Sequence, residues 1–108
     1  MLQRTHLLCT LIIKKDIFDV TIAPSAVKDL RKLPRHIVRK VQAWIDDIGH
    51  HGLSEIRKIP GYHDEPLKGK RAGQRSIRLS KGYRAIYIID IDGAIKFVKI
   101  QEVNKHVY

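Results

Sequence analysis

Ile37, Val38, Val41, Trp44, Ile45 and Ile48 recur at i, i+1, i+4, i+7, i+8 and i+11. That spacing gathers them on one stripe of a 3.6-residue helix, so an amphipathic helix is predicted to open after Pro34. Gly49 and Gly52 bracket its C-terminus with His50 and His51, placing both imidazoles near the last carbonyls. Upstream, Ala26, Val27, Leu30 and Leu33 predict a shorter helix over 25–33, entered at Pro24 and ended by Pro34. Before it, Phe18 to Ile22 alternates apolar and polar residues, which is the period of a half-buried strand.

Residues 53–72 read as a loop, punctuated by Pro60-Gly61, Pro66, Gly69 and Gly73. Alternation resumes at Gln74, with Ser76, Arg78 and Ser80 on one face and Arg75, Ile77 and Leu79 on the other. Lys81-Gly82 fits a tight turn, and Tyr83 to Ile89 is apolar on both faces, as a central strand requires. Tyr83 and Tyr87 share a face with Ala85 and Ile89 and are read as core, as is Trp44. Asp92-Gly93 marks a second hairpin, and Ala94 to Val103 supplies a third strand. The expected fold is a small single α+β domain, β-α-α-β-β-β, with two helices packed on a mostly antiparallel, twisted sheet. The domain is placed at 18–108, with 1–17 as an N-terminal extension of unknown role. Within that extension the apolar run Leu7 to Ile13 meets Lys14 rather than a small-residue cleavage site, which favours an added strand over a signal segment.

Composition narrows the class. A chain of 108 residues with 44% apolar side chains suits one domain with a real core and excludes disorder, collagen and a disulfide scaffold. Cys9 stands alone and cannot form an internal disulfide, which points to a reducing, cytoplasmic setting. No apolar run approaches the ~20 residues of a membrane span, so no membrane partner is expected. The formal charge of +10 changes the picture more. Residues 66–108 carry ten basic and three acidic side chains. Lys68, Lys70, Arg71, Arg75, Arg78, Lys81 and Arg84 follow one another with no acid between them. Such a field attracts polyanions, nucleic acid or an acidic protein; the plainer alternative is a solvated strand face. Gly69-Lys70-Arg71-Ala72-Gly73 lacks the spacing of a phosphate-binding loop, and His50, His51, His63 and His106 do not pair with cysteine at zinc spacing. No cofactor or metal is expected.

Three segments in this order carry a resemblance: Glu65-Pro66-Leu67-Lys68, Gly73-Gln74-Arg75-Ser76-Ile77-Arg78 and Tyr83-Arg84-Ala85-Ile86-Tyr87. Together with the β-α-α-β-β-β order and the closing Glu102 to Tyr108, they resemble the RelE/ParE toxin superfamily, nearest in motif to its RelE, YoeB and HigB branches. The likeness covers 18–108. It implies a type II toxin held by a cognate antitoxin, acting as a metal-independent endoribonuclease that cleaves mRNA in the ribosomal A site by 2′-OH attack. The sister ParE branch shares the fold and poisons DNA gyrase instead, so fold does not decide function. A basic RNA-binding domain without catalysis is the third reading.

The resemblance also assigns roles. RNA cleavage needs a base for the 2′-OH, positive charge on the scissile phosphate and an acid for the departing 5′ oxygen. Glu65 resembles the catalytic glutamate of the YoeB branch, with Lys68 as the substitute base if it is not used. Arg84 matches the phosphate-binding arginine after the hairpin turn; the plainer alternative is a pair with an acid on a neighbouring strand. Arg78 corresponds to a basic residue that helps neutralise the RNA backbone. His106 is the candidate acid and Tyr108 the stacking residue, although Val107 separates a pair that is adjacent in the YoeB branch. Lys68, Lys70, Arg71, Arg75, Lys81 and Lys105 complete the expected RNA-binding set.

Overall fold

Trp44 is fully buried where the long helix meets the sheet, its ring tilted 51° against Tyr87 at 5.1 Å between centroids. Around this contact the computed structural model describes residues 16–105. Helix α1 spans Pro24–Arg31, α2 spans Arg35–His51 and a single turn, α3, spans Leu53–Ile56. The strands are β1 (Val20–Ile22), β2 (Glu65–Pro66), β3 (Arg75–Ser80), β4 (Tyr83–Asp92) and β5 (Ile95–Lys105). They form one mixed sheet in the order β1-β5-β4-β3-β2, with β1 parallel to β5 and the other pairs antiparallel. The apolar stripe of α2 behaves as its period requires: Ile37, Val41, Trp44 and Ile48 are all buried. They pack on Ile77, Ala85, Tyr87, Val98, Ile100 and Val103 from one face of the sheet. The α+β class, the two main helices and the three-strand meander therefore stand as expected.

The segment 53–72 differs from the expected loop. It contains α3, whose Leu53 and Ile56 are buried, the two-residue strand β2 and two 3-10 turns, at Pro60–Tyr62 and Gly69–Arg71. None of these is long enough to show a period. Each is held by tertiary contact: Leu53 and Ile56 join the core, and β2 pairs Glu65 with Ser76 and Pro66 with Arg75. A proline is tolerated there because β2 is an edge strand.

The sequence assigned Asp16 and Ile17 to the extension. Their polar groups are bonded to the domain: Ile17 accepts the Leu53 N–H at 2.9 Å, and the Asp16 carboxylate accepts that of Ser54 at 3.1 Å. This closure depends on Gly52, whose φ of 85° and ψ of 152° suit glycine alone. A Cβ at that position would also collide with the Asp16 carboxylate. Gly52→Ala is therefore expected to destabilise the fold by about 1–3 kcal/mol, read from denaturant midpoints. The apolar run 7–13 and Cys9 lie outside the described residues, as do His106 and Tyr108.

Candidate nucleic-acid interface

Only one face of the sheet carries the helices. Residues directly opposite on antiparallel strands share a face, so the register defines what the other face presents. One row runs Glu65, Ser76, Ile86, Glu102 across β2, β3, β4 and β5. The next row runs Arg78, Arg84, Asn104 across β3, β4 and β5. A bulge on β5 beside Ile86 and Tyr87 brings Glu102 and Asn104 into these rows, and a second register shift lies past them, between Arg78 and Ser80. Sheet spacing then puts the backbones of Glu65 and Arg84 roughly 12 Å apart, two strands over and one row along. Between them on this face lie Ser76 and Ile86, both buried.

The charges in these rows are unevenly matched. Arg71 ion-pairs with Glu102, whose other oxygen accepts from Asn104 Nδ2 at 2.8 Å. Arg78 and Arg84 face each other directly, and among the described residues neither meets a carboxylate. Like charges in opposed positions destabilise a sheet, and an anion held between them would relieve that cost. The alternative pairing of Arg84 with a neighbouring acid is not what the register gives: across β5 it meets Asn104. Glu65 is half exposed at the sheet edge, its Oε2 3.6 Å from His63 Nε2. Lys68, Lys70, Lys81 and Lys105 are exposed.

Arg75 must be taken out of the expected RNA-binding surface. It lies on the helix-bearing side, where its Nε donates to Asp64 Oδ1 at 2.7 Å. Burial opposes its charge, but the bond to Asp64 and that carboxylate's charge prevail and raise the guanidinium pKa above its ordinary value. The other Asp64 oxygen accepts the Tyr87 hydroxyl at 2.6 Å. Burial pushes the Tyr87 phenol up to about 12; Arg57 works against that shift and Asp64 adds to it. Arg71 also gives up part of its reach, to Glu102 and to Gln74 Oε1 at 2.9 Å.

A second basic feature has no counterpart in the sequence reading. Between α2 and the free end of β3 lies a groove of about 730 Å³, with His36, Arg39, Lys40 and Lys81 along it and Ile59, Tyr62 and Leu79 among its apolar lining. Inside it, Tyr62 donates to Asp47 Oδ2 at 3.0 Å, and burial together with that carboxylate pushes its phenol up to about 12. The signal was present: His36, Arg39 and Lys40 occupy i, i+3 and i+4, one polar stripe of the helix. Among the described residues no group of three His, Cys, Asp or Glu could hold a metal, and no helix is long and apolar enough to cross a membrane.

No family model matches the chain, and no curated relative matches it. Solved structures do. A YoeB/ParE toxin from Agrobacterium tumefaciens superposes with a TM-score of 0.60 at 20% identity, covering 82% of this chain and 99% of that one. The RelBE2 toxin–antitoxin complex of Mycobacterium tuberculosis gives 0.58 at 27% identity, covering 82% and 96%. YafQ of E. coli gives 0.63 at 15% identity, covering 81% and 91%.

Proposed function

We propose that this chain, which has the fold of the RelE/ParE toxin superfamily, is the toxin of a toxin–antitoxin pair and an endoribonuclease that cleaves ribosome-bound mRNA. The observation that carries this reading is the Arg78–Arg84 pair, set without an acidic partner among the described residues on the face opposite α1 and α2, one row from Glu65. In this reading Glu65 takes the proton of the 2′-OH. The 2′ oxygen then forms a bond to phosphorus, and Arg84, aided by Arg78, stabilises the charge that builds on the non-bridging oxygens. The bond to the 5′ oxygen breaks, and an acid returns a proton to it, leaving a 2′,3′-cyclic phosphate and a 5′-OH. His106 is the proposed acid and Tyr108 the proposed stacking residue, both from the segment following Lys105. Lys68, Lys70, Lys81 and Lys105 would hold phosphates, which positions RNA without reading its sequence.

The partner proposed is a cognate antitoxin with an acidic segment. One solved neighbour is itself a toxin–antitoxin complex, and the basic surface of this chain suits such a partner. The compartment proposed is the cytoplasm, where ribosomes and message are found. Brief induction in a bacterium followed by mapping of mRNA 5′ ends tests the whole reading. New 5′-OH ends inside coding regions are expected, and Glu65→Gln should reduce their rate of appearance by roughly 10²–10⁴-fold. Intact message with altered plasmid supercoiling would overturn the nuclease reading in favour of gyrase poisoning.

A further inference from the structure

We infer that Asp64 is the positioning residue for Glu65: its buried carboxylate, bridged to Arg75 and Tyr87, fixes the edge strand so that Glu65 faces the RNA side. The inference rests on the reading of Glu65 as the base. Strand β2 has two residues and pairs with β3 only at Glu65–Ser76 and Pro66–Arg75. So short an edge strand is the kind of element that opens locally. Beyond it the backbone is held by the Leu67 N–H on Gln74 O at 2.8 Å. On its other side the chain leaves the Pro60–Tyr62 turn through His63, the left-handed cap of that turn with a φ of 48°, whose N–H is held by Pro60 O at 3.0 Å.

Between that turn and β2, Asp64 supplies the side-chain anchor. Its side chain is 2% exposed and accepts from Arg75 Nε on β3 and from the Tyr87 hydroxyl on β4. Tyr87 is itself fully buried against Trp44, so the bridge ends in the packed core. Consecutive residues of an extended chain point to opposite faces. Pinning Asp64 on the helix side therefore commits Glu65 to the other. The glutamate side chain stays half exposed and free to meet substrate, while its backbone does not wander.

The test is a double-mutant cycle on cleavage of ribosome-bound mRNA by the full chain. Asp64→Asn should lower kcat by about 10²-fold, the effect of a misplaced catalytic group. KM should stay within about 2-fold, because Arg78 and Arg84 still bind the phosphate. In a Glu65→Gln background the same substitution should change the residual rate by less than about 2-fold, since its effect passes through Glu65. Tyr87→Phe removes one of the two donors, keeps the ring, and should show the same pattern at smaller size; it serves if Asp64→Asn does not fold. Equal losses in both backgrounds, or a loss confined to KM, overturn the inference and leave Glu65 as base untouched. Full activity of Glu65→Gln alone overturns the base and the inference together.

Discussion

Arg84→Ala should abolish most cleavage while leaving the protein as stable as before or slightly more so. The two effects separate because Arg84 stands opposite Arg78 and next to Asn104, with no carboxylate paired to it among the described residues. Removing one of two opposed like charges relieves about 0.2–1 kcal/mol of repulsion. Loss of one donor aimed at the developing phosphate charge should slow the chemical step by about 10²–10³-fold. Arg84→Lys keeps the charge and loses the forked pair of N–H donors, so an intermediate rate is expected. Thermal melts and single-turnover cleavage of ribosome-bound mRNA measure the two quantities side by side. A folded Arg84→Ala protein that cleaves at full rate would remove the arginine pair from the mechanism.

Trp44→Ala acts on the other side of the sheet and in the opposite sense, through stability. Trp44 is fully buried and fills the space between α2 and Tyr87, so its truncation should destabilise the fold by about 3–5 kcal/mol. That is a large share of the roughly 5–15 kcal/mol available to a whole domain. The indole Nε1 is buried with no hydrogen-bond partner among the described residues. Trp44→Phe removes that orphaned donor, which offsets some of the lost packing. Its denaturant midpoint should fall by less than half as much as that of Trp44→Ala. Equal losses would mean that the indole nitrogen has a partner.

The helices and the meander were legible because each repeats its period several times. Ile37 through Ile48 covers more than three helical turns, and in sequence Arg75 to Ser80 sets Ile77 and Leu79 against Ser76, Arg78 and Ser80. The parallel docking of β1 on β5 was not legible. It depends on residues 77 or more positions apart, such as Val20 and Val98, and no local pattern encodes such a pairing. Among the candidate site residues, Glu65, Arg78 and Arg84 could be picked out by their resemblance to the family's motifs, and the register places them on one face. Arg75 looked equivalent to them, being one more cation in a run. Its removal from that set needs Asp64, eleven residues earlier, which reads in sequence as an ordinary loop acid. The basic stripe of α2 was passed over because a charged helix face is usually just solvated.

Strand β5 holds one residue more than its partner. Ile86 pairs with Glu102 and Tyr87 with Ile100, so Gln101 is skipped by the ladder, and its carbonyl is taken instead by the Ser25 hydroxyl at 2.8 Å. That single residue sets the parity of everything after it: Val103 turns inward to the helices, and Glu102 and Asn104 turn outward beside the arginines. Shortening the strand by one residue there would exchange the two sets, burying a carboxylate and an amide and exposing a valine. The strand can thus drift in composition far more freely than in length. Insertions and deletions between Ile100 and Asn104 should be purged from descendants of this gene long before substitutions at Gln101 itself.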